Sequence, residues 1–388
     1  MAEDPLIVDD SDRYSRLRLI SWWVQEKLAA AKVLVVGAGA LGNEVLKNLA
    51  LLGVGQVIVI DFDTIENSNL TRSVLFRESD RGKSKSAAAA AMIRQINSDT
   101  RVLPLNANVL TDLGLGIFRD VDVVIGCLDN REARLWVNRS CWKVSTPWID
   151  GGIQEISGVV KVFVPPDSAC YECAMTENDY RLINLRYSCP LLRQEDLLAG
   201  KVPTAPTIAS FIGALQTQEA LKLIHGLPVQ AGAALVFSGA TNQFYTTQLP
   251  FKKDCLSHDT YDEPIEVPLS AAENTARDLF AALRAATGAA GSMTLALDRD
   301  LVVSLGGANG AKKRIMRPLA LVSMKEATID ATGEVMRPEL VHEVSEESPL
   351  ASEKLSDLGI PAYDIVRVQT HEAEYCCLLA ADRGKYEF

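Results

Sequence analysis

The pattern of apolar and polar residues in the first third of the chain predicts alternating strands and helices. A run of four apolar residues, 33–36, precedes a glycine-rich turn, and the helix-period stretch that follows ends at Gly53. A second apolar run, 56–60, ends at Asp61. Uninterrupted apolar runs of this length are typical of strands that are buried on both faces of a parallel sheet. We therefore predict a βαβ unit at the start of an α/β domain.

The turn between the first strand and the helix has the spacing G-x-G-x-x-G, over residues 37–42. Glycines at these places let the backbone approach phosphate groups, and the helix that follows presents N–H groups at its N-terminus. Asp61 lies about 20 residues further on, where an acidic side chain can accept hydrogen bonds from a ribose. Such a site suits NAD, FAD or ATP equally. The nucleotide-binding residues that this pattern predicts are Gly37, Gly39, Gly42 and Asp61.

The polar loop after Asp61 favours ATP over a dinucleotide. It contains Asn69 and Arg72, which suit the β- and γ-phosphates of a triphosphate, and arginine can bind phosphate in bidentate geometry. The loop reads DFD…SNLTRSVLF and resembles the D-x-D…SNLNRQ-x-LF segment of the ThiF/MoeB/E1 superfamily, which adenylates the C-terminus of ubiquitin-like proteins. This resemblance covers about residues 11–258. It implies a Rossmann-like adenylation domain with a mixed sheet, in a bacterial E1-like enzyme.

The resemblance implies three further residues at the ATP site. Arg16, in an R-Y-x-R segment, would reach the triphosphate of a neighbouring subunit, which implies a homodimer; otherwise it is a surface arginine on a helix. Lys85 would contact the phosphates from the start of an alanine-rich helix, with Lys83 as its rival. Asp129, at the end of a fourth strand, would bind Mg²⁺. The alternative is that Asp129 caps the next helix.

The spacing of cysteines predicts a metal site. Cys170 and Cys173 form a C-x₂-C half-site on a polar loop, and Cys255 with His258 forms the candidate second half-site. Three cysteines and one histidine are an ordinary ligand set for Zn²⁺. Two unrelated reduced cysteine pairs, or a redox-active C-x₂-C, are the alternatives.

A lone cysteine, Cys189, lies between Arg186 and Arg193 in a polar segment that the family resemblance identifies as its crossover loop, at about 174–205. Positive surroundings favour the reactive thiolate form of a cysteine. Cys189 is therefore the predicted nucleophile that would hold the carrier protein as a thioester. The alternative is an idle cysteine, since MoeB-type members of the family work without a thioester.

Composition narrows the class of protein. The chain has 388 residues, of which 48% are hydrophobic and 23% charged, as in globular proteins. Its net charge is −11 and it has no basic tract, so we expect no nucleic-acid partner. It has no apolar run of about 20 residues and no signal peptide, so we expect no membrane association. Eight cysteines in a chain of this length favour a reducing compartment, and we place the protein in the cytoplasm.

We predict two domains, an adenylation domain over 1–258 and a small α+β domain over 259–388 that could dock the carrier or an E2-like protein. In the second domain the apolar pattern predicts strands at 293–297, 300–305 and 318–324. The acidic stretch 339–358 is expected to be a loop.

The sequence thus predicts an E1-like enzyme. It would use MgATP to adenylate the C-terminal carboxylate of a ubiquitin-like or sulfur-carrier protein that ends in glycine. It would then form a thioester on Cys189 for transfer to an E2-like conjugating protein. The alternatives are a MoeB- or ThiF-like sulfur-carrier adenylyltransferase without E2 transfer, an NAD-binding dehydrogenase, and a non-catalytic E1-like scaffold.

Overall fold

The structure is a computed structural model that describes residues 11–181, 203–307, 310–329 and 333–388. The strands are β1 (Lys32–Val36), β2 (Gln56–Ile60), β3 (Arg101–Leu105), β4 (Val123–Gly126), β5 (Trp148–Gln154), β6 (Ser157–Phe163), β7 (Ala233–Ser238), β8 (Gln243–Gln248), β9 (Ile265–Val267), β10 (Thr294–Gly306), β11 (Lys312–Pro318), β12 (Arg337–Ser345), β13 (Ile365–Gln369) and β14 (Glu374–Leu379). The main helices are α1 (Gln25–Ala30), α2 (Ala40–Leu52), α3 (Lys85–Ile96), α4 (Leu115–Arg119), α5 (Arg131–Lys143), α6 (Pro206–His225), α7 (Ala276–Thr287) and α8 (Met324–Ala327).

The first sheet is mixed and has the strand order β3-β2-β1-β4-β5-β6-β7-β8. Strands β1 to β5 pair in parallel, and β6 to β8 continue the sheet with antiparallel pairings. Because β1 lies between β2 and β4, the carboxyl ends of these three strands meet at one edge. Open α/β sheets bind their ligands at that edge. The strand order and the parallel pairings confirm the Rossmann-like fold predicted from the sequence.

Alternate residues of β1 point into two different parts of the core, as the two-residue period of a strand requires. Val33 and Val35 pack with α2, α3 and α6 on one face of the sheet. Leu34 and Val36 pack with α4 and α5 on the other face. Both faces are therefore covered by helices, and this burial explains why β1 and β2 read as continuous apolar runs.

The C-terminal part forms a second sheet in the order β11-β10-β13-β14-β9, with β12 also paired to β10. Helix α7 covers one face and contributes Leu279, Phe280 and Leu283 to a separate apolar core. The predicted α+β character is confirmed. The position of the domain boundary, at residues 258 and 259, stays a prediction.

Two expectations for this second sheet were wrong. The stretch 318–324 is not a strand, because β11 already ends at Pro318 and a short turn of 3₁₀-helix follows at Leu319–Leu321. The acidic stretch 339–358 is not simply a loop, because β12 runs to Ser345 and pairs with β10. Most of β12 is exposed on both faces, so its charged residues conceal the alternation that would reveal a strand.

The second sheet is packed firmly against the first part of the chain. Tyr363, Ile365 and Leu378 belong to the same apolar core as α4 and α5. The Gly116 N–H donates to the Tyr363 carbonyl at 3.0 Å, and a Cβ at Gly116 would lie 2.5 Å from that oxygen. The absent side chain is therefore what allows the two parts to come this close.

None of the helices within the described ranges has both the length and the apolar character needed to cross a membrane.

Candidate functional site

In the glycine turn between β1 and α2, two glycines are required by contacts within the protein and the third faces open space. Gly37 has φ of +97°, and a Cβ there would lie 2.5 Å from the Cys127 carbonyl oxygen. A Cβ at Gly42 would lie 2.0 Å from the Gly37 carbonyl oxygen. At Gly39, by contrast, a Cβ would meet nothing within 4 Å. Internal packing explains the first two glycines, whereas the open space at Gly39 suits a group that approaches from outside, such as a phosphate.

Asp61 closes the turn from the end of β2. Its two carboxylate oxygens accept from the Ala38 N–H at 2.7 Å and the Asp63 N–H at 2.8 Å. Burial raises the pKa of Asp61, and the two backbone donors oppose that rise. The predicted ribose acid therefore lies directly beside the glycine turn.

Lys85 and Lys83 have different surroundings. The Lys85 ammonium lies 2.7 Å from the Asp63 carboxylate, and the Lys85 side chain is largely buried at the N-terminus of α3. Lys83 pairs with Asp80 at 2.9 Å and is well exposed. Only Lys85 is held, through Asp63, next to Asp61 and the edge of the sheet. The geometry favours Lys85 as the phosphate ligand, although Asp63 was given no role from the sequence.

The loop that carries Asn69 and Arg72 is fixed by its own hydrogen bonds. The Asn69 Oδ1 accepts from the Glu66 N–H at 2.9 Å, and the Arg72 Nη1 donates to the Ser68 carbonyl at 2.9 Å. The Asn69 Nδ2 has no hydrogen-bond partner among the described residues, so this donor is available to a ligand.

Asn43 is a positioning residue that sequence reasoning missed. Its side chain is fully buried, and its Nδ2 donates to the Ala38 carbonyl at 2.7 Å and the Gly39 carbonyl at 2.9 Å. Its Oδ1 accepts from the Leu75 N–H at 2.9 Å. Asn43 thus joins the glycine turn to the end of the Arg72 loop. A polar residue directly after the last glycine of the turn was the available signal.

Asp129 follows β4 at the same edge of the sheet. The helix cap that was its alternative role belongs to Asn130, whose side chain accepts from the Ala133 N–H at 2.8 Å. The Asp129 side chain is exposed, and its Oδ1 accepts a weak hydrogen bond from the Asn130 Nδ2 at 3.3 Å. Its Oδ2 is unpaired among the described residues. An exposed carboxylate at this edge fits the hard oxygen ligand that Mg²⁺ prefers.

Arg16 lies at the opposite end of α2 from the glycine turn. The neighbouring Tyr14 ring packs against Gly53, which ends α2, and its hydroxyl accepts from Asn97 Nδ2 at 2.7 Å. Helix α2 has 13 residues, which is a length of roughly 20 Å. Arg16 is exposed there and far from the turn of its own chain. This position is the one expected if Arg16 acts on a neighbouring subunit.

The four predicted metal ligands come together. The Cys170 Sγ lies 3.7 Å from Cys173 Sγ and 3.5 Å from Cys255 Sγ, and Cys173 Sγ lies 3.4 Å from His258 Nε2. All four ligand atoms lie within 4.8 Å of one another. Tetrahedral sulfur ligands about 2.3 Å from Zn²⁺ would be roughly 3.7 Å apart, so the arrangement fits a zinc ion. The cluster favours one shared site over two unrelated pairs.

A buried ionic network holds the metal loops in place. Glu172 lies inside the C-x₂-C segment and accepts from Arg139 Nη2 at 2.5 Å, from Tyr180 Oη at 2.7 Å, and from the Ser257 hydroxyl. Burial opposes ionisation of Glu172, but these donors outweigh it and its pKa is lowered. Because Ser257 lies between Cys255 and His258, the network joins both half-sites to α5.

Cys189 lies outside the described residues, so its role stays a prediction. Among the cysteines within them, Cys127 lies beside the glycine turn and Cys141 is in the core. Burial raises the pKa of both thiols. Neither cysteine has the accessible thiolate that a nucleophile needs.

The ThiF family model matches residues 12–257, which is more than half of the chain, so this protein belongs to the ThiF family. Over 250 residues it is 30% identical to the sulfur carrier protein ThiS adenylyltransferase of Escherichia coli (strain K12), a match that covers 63% of this chain and 94% of that protein. It is also 30% identical, over 235 residues, to ubiquitin-like modifier-activating enzyme 5 of Dictyostelium discoideum, covering 56% of this chain and 60% of that protein.

A solved structure shows the same fold. The crystal structure of E. coli MccB with ATP superposes with a TM-score of 0.54 at 26% sequence identity, covering 65% of this chain and 75% of that chain. The family match ends at residue 257, directly before the segment that leads to the second sheet.

Proposed function

We propose that this protein is an ATP-dependent, E1-like adenylyltransferase that activates the C-terminal carboxylate of a ubiquitin-like or sulfur-carrier protein ending in glycine. The observation that carries the proposal is the edge where β1, β2 and β4 end, at which the glycine turn, Asp61 and Asp129 follow adjacent strands. Lys85 is held at the same edge through Asp63. Membership of the ThiF family and the relatives described above favour this activity over an NAD-dependent dehydrogenase.

The reaction would need positioning and charge stabilisation more than acid–base chemistry. A carboxylate oxygen of the carrier attacks the α-phosphorus of ATP, a new acyl–phosphate bond forms, and the bond to the β-phosphate oxygen breaks. Pyrophosphate leaves with the negative charge, and Lys85 and Arg72 would neutralise it. Asn69 would donate a side-chain N–H group to a phosphate. Mg²⁺, when held by Asp129, would add a further positive charge at the phosphates.

An exposed aromatic surface supports a protein as the substrate. Phe211 and Phe244 are both exposed, and their rings lie 5.4 Å apart beside the edge strand β8. The preceding residue, Ser210, donates to Glu44 near the start of α2 at 2.8 Å. The surface therefore lies on the face of the sheet that is covered by α2, the helix that follows the glycine turn. Aromatic residues in an exposed patch are typical of protein-binding sites.

A second step would transfer the acyl group to a cysteine. The Cys189 thiolate would attack the acyl carbon, forming a thioester while AMP leaves, and an E2-like protein would then accept the carrier. The sulfur-carrier alternative stops at the adenylate. It is favoured by the relative from E. coli, because the match spans nearly all of that protein.

The two steps should separate in one experiment. Cys189→Ala should leave carrier adenylation intact, detected by mass spectrometry of the carrier, and should remove any thiol-sensitive conjugate seen on non-reducing gels. Wild-type protein that adenylates the carrier but forms no conjugate would favour the sulfur-carrier alternative. A carrier that is never adenylated in the presence of MgATP would contradict the proposed function itself.

A further inference from the structure

Arg134 joins the turn that carries Asp129 to the neighbouring strand. Its Nη2 donates to the Leu128 carbonyl at 2.6 Å and to the Gly151 carbonyl at 2.9 Å. Leu128 directly precedes Asp129, and Gly151 lies in β5. A single guanidinium on the second turn of α5 therefore fixes the exit of β4 against the side of β5.

A buried charge on β5 holds this guanidinium. Asp150 is fully buried, and its Oδ1 lies 3.1 Å from Arg134 Nε while its Oδ2 lies 3.4 Å from Lys161 Nζ. The Arg134–Asp150 contact is an ion pair without hydrogen-bond geometry, since neither of these two atoms has a hydrogen-bond partner in the described part of the chain. The directional hydrogen bonds of Arg134 thus go to the two backbone carbonyls.

The backbone of β5 beside this contact is closely packed. A Cβ at Gly151 would lie 2.4 Å from the amide of Gln216, and one at Gly152 would lie 3.1 Å from Val159 and 3.7 Å from Arg134 Nη2. Gln216 in turn donates to the Gly126 carbonyl, at the end of β4, at 2.9 Å. The edge of the sheet is therefore braced by α6 on one face and by Arg134 on the other.

We propose that Arg134 is a positioning residue for the adenylation reaction, one that sets the place of the Asp129 carboxylate relative to the nucleotide. This inference rests on the proposed function, in which Asp129 holds Mg²⁺ against the phosphates. Arginine is required because its planar group serves two carbonyls and one carboxylate at once, whereas lysine presents a single point of charge. A merely structural Arg134 would stabilise the fold without any specific effect on Asp129.

The test compares ATP binding with and without magnesium in Arg134→Lys, which keeps a positive charge beside Asp150. Isothermal titration with ATP is done in MgCl₂ and again in EDTA, so the probe is the nucleotide and no carrier is needed. In EDTA the Arg134→Lys affinity should match wild type, because the glycine turn, Arg72 and Lys85 are unchanged. The gain in affinity on adding Mg²⁺ should fall by about 10- to 100-fold, as when outer partners of a metal ligand are lost.

Two controls separate positioning from stability. Arg131→Ala alters an exposed arginine of the same helix that pairs with Asp179, and it should keep the full magnesium-dependent gain. Asp129→Ala should lose that gain, and adding Arg134→Lys to it should cause no further loss, because both changes act through one carboxylate.

The outcomes are distinct. A magnesium-dependent gain of wild-type size in Arg134→Lys overturns the inference, as does an equal loss of affinity with and without Mg²⁺ or a loss that adds to that of Asp129→Ala. Wild-type protein that does not bind ATP in either buffer overturns the proposed function and the inference with it. Wild-type protein that binds MgATP while Arg134→Lys behaves as wild type overturns the inference alone.

Discussion

Two neighbouring lysines provide a matched test at the scale of single residues. The Lys85 side chain is 11% exposed and pairs with Asp63, close to the proposed ATP site, whereas that of Lys83 is 59% exposed and pairs with Asp80. We predict that Lys85→Ala lowers kcat/KM for carrier adenylation by about 10²- to 10³-fold, because a preorganised charge at the phosphates is lost. Lys83→Ala should change it by less than about twofold, as expected for an exposed ion pair.

Initial rates of carrier-dependent pyrophosphate exchange measure both variants. Equal losses in the two variants, or a larger loss in Lys83→Ala, would contradict the assignment of Lys85 as the phosphate ligand.

Candidate ligand-binding residues that directly follow a strand were predicted from the sequence. Residues that position the site through buried hydrogen bonds were not. Asp61 and Asp129 each follow an apolar run, so their place at the edge of the sheet follows from the strand pattern. Asn43 and Arg134 lie on helices, where a polar residue usually indicates a solvated face. The contacts that give them a role reach other segments of the chain, since Asn43 Oδ1 accepts from the Leu75 N–H and Arg134 Nη2 donates to the Gly151 carbonyl. A local sequence pattern does not report such contacts.

The metal loops give a test at the scale of elements. Cys170, Cys173, Cys255 and His258 come from two loops about 80 residues apart in sequence, and the distances between their ligand atoms suit zinc. We predict one Zn²⁺ per purified chain. Cys173→Ser should lose the metal and lower Tm, because metal binding contributes directly to folding at such sites.

Cys376→Ser is the matched control, since Cys376 lies on β14 outside the metal cluster, and it should keep one Zn²⁺ per chain. Metal analysis by mass spectrometry decides between these outcomes. Purified wild-type protein without zinc, or Cys173→Ser that retains it, would contradict the assignment.

The elements themselves differ in how far the sequence could predict them. The strands of the first sheet are buried on both faces, so their apolar runs are clear, and 33–36 and 56–60 were placed correctly. In the second sheet β10 is one strand, Thr294–Gly306, with irregular pairing to β12 between Ala296 and Leu301. The sequence predicted two strands here, 293–297 and 300–305, because the charged residues Asp298 and Arg299 interrupt the apolar pattern. Tertiary pairing overrode this local pattern.

At the scale of the whole molecule, Arg299 holds the second sheet against the first part of the chain. Its Nε donates to the Leu110 carbonyl at 2.7 Å, its Nη1 lies 3.4 Å from Asp364, and its guanidinium lies over the Trp136 ring at 4.4 Å from the centroid. The side chain is 9% exposed. We predict that Arg299→Ala lowers the free energy of unfolding by about 3–5 kcal/mol, because a buried carboxylate loses its partner.

Urea unfolding measures this loss, and Arg284→Ala is its control. Arg284, on α7, is 41% exposed and pairs with Glu346, which directly follows β12. Both residues belong to the C-terminal part, so the loss of this pair should cost less than about 1 kcal/mol. Similar losses for the two variants would mean that the contact between the two parts contributes little. The shared core also bears on truncation. Because Tyr363 and Leu378 complete the core around α4 and α5, we expect a chain that ends at Glu263 to lose the fold of its first part.

The predicted homodimer can be tested by complementation. Arg16 lies at the far end of α2 from its own glycine turn, so it should act only on a neighbouring subunit. Arg16→Ala and Asp129→Ala proteins should each be inactive. A mixture that forms hybrid dimers should recover part of the activity, because one of the two sites in each hybrid is intact. No recovery in hybrids verified by mass would remove Arg16 from the neighbour's site.

The central claim is that this chain couples ATP to a carrier carboxylate, and ATP–pyrophosphate exchange tests it most directly. The measurement uses the wild-type protein, MgATP and candidate carriers ending in glycine, beginning with any encoded beside this gene. Our account predicts exchange that requires the carrier and its C-terminal glycine and that Asp129→Ala abolishes. Exchange that persists at the wild-type rate in Asp129→Ala, or that is independent of the carrier carboxylate, would contradict the account.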